Sequence, residues 1–158
     1  MFEKRNEQTN ETAASPRTRG RMALGAAVIL SAVPALAAAV DQQSMRSLEA
    51  YAAAMYGAHG VPVDTGLLYL VVYAVAGTLA ILWLVAAVTS WVSRGGAIGA
   101  GAGAFMVVAN LATALAMLFV TEYGSPVFPA QWGLLVALPA LAGAVAVGLL
   151  VRSARRRS

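Results

Sequence analysis

The chain has no cysteine, one histidine and few charged side chains, and each scarcity excludes a class of function. The lack of cysteine excludes thiol–disulfide exchange, thiolate catalysis and cysteine-ligated zinc. The single histidine, His59, excludes a histidine-rich metal site within one chain. Charged residues form 11% of the sequence, against roughly 25% in an ordinary soluble domain.

Apolar residues are abundant instead, at 59% of 158 positions. A soluble domain of this size cannot hide so much apolar surface, because small domains leave a large part of their surface exposed. The charges are clustered, and the uncharged stretches between them reach the length of about 20 residues that a helix needs to cross a hydrocarbon core. We therefore predict an all-α polytopic membrane protein, a four-transmembrane-helix bundle. Its predicted spans are residues 22–40, 67–92, 97–120 and 131–151.

The distribution of basic residues predicts the orientation. Ten of the eleven basic residues lie in the N-terminal tail, at Arg94 or in the C-terminal tail. Residues 41–66 and 121–130 carry one base, Arg46, and four acids. The positive-inside rule then places both termini in the cytoplasm, in a bacterial cytoplasmic (inner) membrane. We expect residues 1–21 to be a disordered cytoplasmic tail and residues 152–158 a basic cytoplasmic tail.

The first span has a second interpretation, because basic residues followed by an apolar run also describe a secretory signal peptide. Ala35-Leu36-Ala37 and Ala37-Ala38-Ala39 both fit the small-x-small cleavage pattern. Cleavage there would require a signal longer than the usual length of about 15–30 residues. The uncleaved span is the favoured interpretation, and cleavage would leave three spans with the N-terminus outside.

The glycine-rich stretch "GGAIGAGAGAF", residues 95–105, raises the question of a nucleotide site. Residues 99–104 match G-x-G-x-x-A, and Glu122 follows about 20 residues later, as in a dinucleotide-binding fingerprint. That fingerprint needs a strand leading into the first glycine, and no strand fits before it. The four-residue spacing of the glycines instead predicts a small-xxx-small helix face, which lets helices approach closely in lipid.

The predicted helix-packing residues form two faces. On the third span, Asn110 extends the glycine face, and we expect its amide to form a hydrogen bond inside the bundle, because lipid offers no partner. These residues are Gly95, Gly99, Gly103 and Asn110 on the third span, and Gly133, Ala137, Ala140, Ala144 and Gly148 on the fourth. Packing within the chain is favoured, and packing between two copies stays open.

The loop before the second span predicts a short outer amphipathic helix over residues 44–56, with Met45, Leu48, Ala52 and Met55 on its apolar face. We expect His59 and the acids Asp41, Asp64 and Glu122 to be solvated loop residues, with a cation-binding carboxylate cluster as the alternative. The aromatic residues near the span ends, Tyr69, Tyr73, Trp91 and Trp132, are typical of interface belts.

No charged residue or histidine lies inside a predicted span, which argues against proton relays and ion-coupled transport. We therefore predict a non-enzymatic bundle that packs with another copy or with a membrane protein partner, in contact with the lipid bilayer. We expect no cofactor, metal or nucleic acid. The alternative is a small transporter or channel for a neutral or apolar solute, with a path lined by Asn110, Thr113, Thr78, Tyr69 and Tyr73.

Three segments carry a resemblance: "DQQS" followed by Leu48, "LLYLVVYAVAGTLAILWLVAAV" in the second span, and "WGLLVALPALAG" in the last. Together they resemble small, uncharacterised four-span membrane proteins of high-GC bacteria. The resemblance implies the four-span layout, and it carries no catalytic or binding residue to this chain.

Overall fold

The computed structural model describes residues 15–93 and 96–155, and this part of the chain is almost entirely helical. The helices are α1 (Pro16–Ser31), α2 (Val33–Val40), α3 (Ser47–Gly57), α4 (Thr65–Val92), α5 (Gly96–Phe119) and α6 (Ala130–Arg155). Four helical segments are long and apolar enough to cross a membrane, Pro16–Met45, Thr65–Val92, Ala97–Phe119 and Ala130–Arg155. The prediction of an all-α four-helix bundle is confirmed.

The first helical segment begins before the predicted start at residue 22. The Ser15 hydroxyl accepts a hydrogen bond from the amide of Thr18, and Pro16 takes the first helical position, which is where proline fits a helix. Residues 16–21, predicted to be disordered, are therefore helical, and residues 1–14 lie outside the described residues. The helix is interrupted at Ala32, two residues before Pro34, whose nitrogen cannot donate to the preceding turn.

A π-helical turn, Asp41–Met45, follows α2 directly and ends at Arg46, whose φ of 49° is in the left-handed region. This change of direction separates α3 from the first span. Helix α3 buries Leu48, Ala52 and Tyr56 against the bundle. Met45 is 75% exposed and lies outside α3, so its predicted place on the apolar face of a helix over residues 44–56 is wrong.

The connection between α5 and α6 contains a short antiparallel hairpin, with β1 (Thr121–Glu122) paired to β2 (Ser125–Pro126). Its two turn residues, Tyr123 and Gly124, both have positive φ, which matches the twist of a tight hairpin. This hairpin lies at the same end of the bundle as α3, because Tyr51 of α3 donates to the carbonyl oxygen of Pro126 at 2.6 Å.

The four long segments form a ring. The first segment, α1 with α2, packs against α4 and α6, and α5 packs against α4 and α6. Helices α4 and α6 are therefore diagonal to each other, as are α1 and α5. Most of the apolar surface faces outward, since only 28–33% of each spanning window is buried inside the chain. Such a surface suits a hydrocarbon surrounding.

Three of the four long segments bury residues at alternating steps of four and three positions, an average period of 3.5, and α5 departs from this alternation by one extra four-residue step between Met106 and Ala114. We call these positions the seam. The first segment contributes Gly20, Leu24, Ala27, Ser31, Pro34, Ala38 and Asp41; α4 contributes Val72, Ala76, Leu79, Trp83, Ala86 and Ser90; α6 contributes Trp132, Val136, Pro139, Gly143, Ala146 and Leu150. This period is typical of left-handed helix bundles, in water and in membranes.

Candidate functional site

The polar centre of the bundle is the side chain of Asn110 on α5, which is fully buried. Its Oδ1 accepts a hydrogen bond from Nε1 of Trp83 on α4 at 2.9 Å. Its Nδ2 donates to the backbone carbonyl of Val136 on α6 at 2.6 Å. One amide therefore links three helices, and we call Trp83, Asn110 and the Val136 carbonyl the central node.

The acceptor in α6 lies in a turn that a proline weakens. Pro139 is inside α6 and has no N–H to donate to the carbonyl four residues earlier. Val136 is three residues before Pro139, in the same turn. In a membrane, polar side chains of neighbouring helices commonly satisfy backbone groups near a proline. The carbonyl that Pro139 leaves without a helical donor is that of Leu135, and Asn110 of α5 donates to the next carbonyl, that of Val136.

Trp83 crosses the centre of the ring from α4 to the diagonal helix α6. Its indole is fully buried, and it lies on the backbone of Gly143. A methyl group at position 143 would overlap Cη2 of the ring and come within 2.9 Å of Cζ2 and Cζ3. Gly143 is therefore required by the volume of the Trp83 ring.

The other buried glycines receive large side chains in the same way. A Cβ at Gly133 would lie 2.8 Å from Cδ2 of Leu118, and a Cβ at Gly20 would lie 3.0 Å from Cδ2 of Leu150. Gly103 of α5 faces Val147, at 3.0 Å from the position of a Cβ. These glycines therefore leave space into which side chains of neighbouring helices pack.

Most of the predicted packing residues lie at contacts within the chain. Gly99 lies against Ser90 of α4, and Gly103 lies against α6 and Leu24 of α1. Gly133 and Ala140 are buried, and Ala137 is half-buried. Gly95 lies outside the described residues.

Ala144 and Gly148 do not take part in this packing, and their predicted place on the same inward face as Gly133 needs correction. Both are exposed, and a Cβ at Gly148 would meet nothing within 4 Å. The reason is the register of the helix, because Ala137, Ala140 and Ala144 each follow a seam residue by one position and so lie about 100° to the side of the seam. The buried positions at this end of α6 are Gly143, Ala146 and Leu150.

The predicted solute path is not brought together. Thr78 and Thr113 line one groove of about 300 Å³ between α4 and α5. Asn110 belongs to the central node. Tyr69 and Tyr73 lie near the N-terminal end of α4, and their hydroxyls donate hydrogen bonds to Asp41 and Gln42. The five residues thus occupy three separate places.

Asp41 is 7% exposed, which corrects the expectation of a solvated loop acid. Its carboxylate accepts hydrogen bonds from the amide and hydroxyl of Ser47, the amide of Leu48 and the hydroxyl of Tyr69, at 2.6–3.1 Å. Two of these donors are amides of the first turn of α3. Asp41 therefore caps α3 and ties it to α4, and the capping carboxylate is stabilised by the helix N-terminus.

The two other acids of the predicted cation cluster, Asp64 and Glu122, each have a different hydrogen-bond partner. Asp64 caps α4 by accepting from the amide of Gly66 at 3.0 Å. Glu122 accepts a hydrogen bond from the hydroxyl of Tyr56 at 2.6 Å, and this bond, together with burial, raises the pKa of Tyr56 to about 12. Within residues 15–93 and 96–155, no group of three His, Asp or Glu side chains could hold a metal ion. His59 stacks on Tyr123, with ring centroids 4.6 Å apart.

The opposite end of the bundle is held by arginines from the first turns of α1. Arg21 donates to the carbonyls of Ser90 and Trp91 at 3.0 and 3.1 Å, and its guanidinium lies 5.1 Å from the Trp91 ring centre. Arg17 donates to the carbonyl of Ser93 at 2.9 Å. These carbonyls are at the C-terminal end of α4, where cations satisfy unpaired acceptors and the helix dipole.

Trp83, Gly143 and Asp41 are the important residues that the sequence interpretation missed. A signal for all three was present, because the 4-3-4-3 spacing of each seam includes them. That period groups Trp83 with Leu79 and Ala86 on one face of α4, and Gly143 with the other seam residues on one face of α6. It also places Asp41 on a buried face.

These features define a multi-pass α-helical membrane protein with a packed, hydrogen-bonded interior. No family model matches the chain, and no curated protein or solved structure is similar to it.

The fit of Trp83 on Gly143 generates a test. We expect Gly143→Ala to lower the free energy of unfolding by roughly 1–3 kcal/mol, the usual cost of overpacking a core. Gly148→Ala is the matched control on the same helix, and we expect no loss of stability and a gain of up to about 1 kcal/mol, because its methyl group meets no neighbour and alanine favours the helix. The measurement is unfolding by a denaturing detergent, followed by tryptophan fluorescence. Equal effects of the two substitutions would contradict this packing.

Proposed function

We propose that the chain is a non-enzymatic membrane scaffold that binds a membrane protein partner or a second copy of itself. The central node is the observation that carries this proposal. The most polar side chain in the middle of the bundle is used to hold three helices together, and the bundle axis beside it is filled by the Trp83 ring. A solute path needs free polar groups and space along that axis, whereas a scaffold needs a rigid shape.

The lipid-facing side of α6 is the surface that we assign to the partner. Ala144 and Gly148 are exposed there, and Leu141 beside them is 65% exposed. Small residues on an outward face allow another helix to approach closely, which is the main source of helix association in lipid. The packing within the chain leaves these two residues unused.

A photo-reactive side chain placed at Leu141 tests this assignment in native membranes. We expect a discrete protein adduct, a second copy or another protein, because the probe is adjacent to Ala144 and Gly148. Ile81 on the diagonal helix α4 is the matched control, at 64% exposed, and we expect mainly lipid adducts from it. Lipid adducts alone at both positions would overturn the proposed function.

The alternative, transport of a neutral or apolar solute, is favoured by one observation, the groove that holds Thr78 and Thr113. Solute flux into liposomes separates the two proposals. The scaffold proposal expects no flux above that of empty liposomes. Flux that is lost in Thr113→Val would establish the alternative.

We also propose that both termini face the cytoplasm of a bacterial cell and that the first helix is retained. Arginines lie at the start of α1 and at the end of α6, and these helix ends meet where Gly20 contacts Leu150. The acids Asp41, Glu49, Asp64 and Glu122 lie at the other end. This separation follows the positive-inside rule. Retention is supported by the burial of Leu24 and Ala27 in the bundle.

Single-cysteine variants test this orientation, since the natural sequence has no thiol. Gln43 and Thr18 are exposed, uncharged positions at opposite ends of the first helical segment. In spheroplasts, we expect a membrane-impermeant maleimide to label Gln43→Cys. Thr18→Cys should be labelled only after lysis.

The reverse pattern would contradict the orientation. If the membrane-bound Thr18→Cys protein is shortened and carries no thiol even after lysis, the first helix has been cleaved, which would contradict its retention.

A further inference from the structure

A groove of about 420 Å³ lies between α2 and the start of α6. Val33, Leu36, Val40 and Leu135 form its apolar wall, and Leu36 and Val40 are mostly exposed on the side that faces lipid. Its volume is within the range of small-molecule sites, which run from roughly 300 to 1,000 Å³. Asp41 and Ser47 form its polar end.

Trp132 also lines this groove and presents an unusual feature. The side chain is 2% exposed, and its Nε1 is buried. Within residues 15–93 and 96–155, it is the one buried side-chain nitrogen or oxygen without a hydrogen-bond partner. A buried donor without an acceptor is costly and rare in native proteins, and a bound partner that supplies the acceptor would explain it.

Asp41, Ser47 and Gln131 are the other polar residues of the groove, and Asp41, the charged one, narrows the chemistry of that partner. The Asp41 carboxylate is already used by Ser47, Leu48 and Tyr69. Its negative charge disfavours a phosphate or carboxylate as the acceptor itself, while the indole N–H requires an acceptor. A neutral carbonyl oxygen attached to an apolar chain satisfies both conditions.

We propose that this groove binds an acyl chain of a membrane diester phospholipid, with an ester carbonyl accepting a hydrogen bond from Trp132. Because Nε1 is buried in the structure, the proposal includes a rotation of the indole that brings the N–H to the carbonyl when the lipid enters. The groove lies at the level of Asp41, Tyr69 and Tyr73, where the span ends and where lipid ester groups meet interfacial aromatic residues. The proposal rests on the helices spanning a membrane, and it does not depend on the scaffold role.

Two synthetic phospholipids with the same headgroup and chain lengths provide the test, one with ester linkages and one with ether linkages. Only the diester has carbonyl oxygens. The purified full chain in mild detergent is titrated with each lipid, and bound lipid is counted by native mass spectrometry. We expect the wild type to bind the diester roughly fivefold more tightly, the value of one neutral hydrogen bond.

Three variants complete the design. Trp132→Phe should lose the preference for the diester and keep its fold, because the deleted N–H has no partner in the protein. Ala37→Phe fills the groove, so binding of both lipids should fall. Trp91→Phe, at the other end of the bundle and 59% exposed, should retain the preference.

Equal binding of the two lipids by the folded wild type, or a preference that survives in Trp132→Phe, would overturn the proposal. A dimer that Trp132→Phe dissociates, with no bound lipid, would assign the groove to a second copy and would also overturn it. Both results differ from failure of the scaffold proposal, which is measured at Leu141.

Discussion

The hydrogen bonds of Asn110 to Trp83 and to the Val136 carbonyl are the interaction on which the rest of the bundle depends. In hydrocarbon, neither the amide nor the indole N–H can find water, so each must be satisfied inside the protein. The same contacts determine how the helices face one another. Trp83 reaches Asn110 only if α4 directs its seam to the axis, and the ring then needs Gly143 on α6.

The ends of the bundle follow the same rule with stronger polar groups. At one end, Asp41 satisfies the first amides of α3 and the hydroxyl of Tyr69. At the other end, Arg17 and Arg21 satisfy the last carbonyls of α4. Charged side chains are tolerated there because water and lipid headgroups can solvate them. The centre therefore relies on neutral hydrogen bonds and on packing.

The four long helices were predictable from sequence because bilayer thickness imposes a minimum length on every uncharged stretch. Asn110 was predictable as an inward residue for the related reason that its amide needs a partner. The faces of α6 were predicted less well. Small residues alone suggested a stripe through Ala144 and Gly148, whereas the buried seam passes through Gly143 and Ala146.

The seam could not be assigned from small residues because a glycine is buried only where a neighbouring helix packs against it. Gly143 faces Trp83, and Gly133 faces Leu118. Gly148 is also a glycine of α6, but no neighbouring side chain lies within 4 Å of the position of its Cβ. Which glycine is used depends on contacts between helices, and those contacts are a property of the assembled bundle. The groove at Trp132 arises in the same way from two separate helices.

A double-mutant cycle on Trp83→Phe and Asn110→Leu, measured as free energies of unfolding in a denaturing detergent, tests the central node most directly. The cycle cancels the volume that each substitution removes and isolates the energy of their interaction. We predict a coupling between about 0.6 and about 1.7 kcal/mol, the average and the maximum found for hydrogen bonds between membrane helices. Additive effects, with a coupling below about 0.3 kcal/mol, would contradict the account.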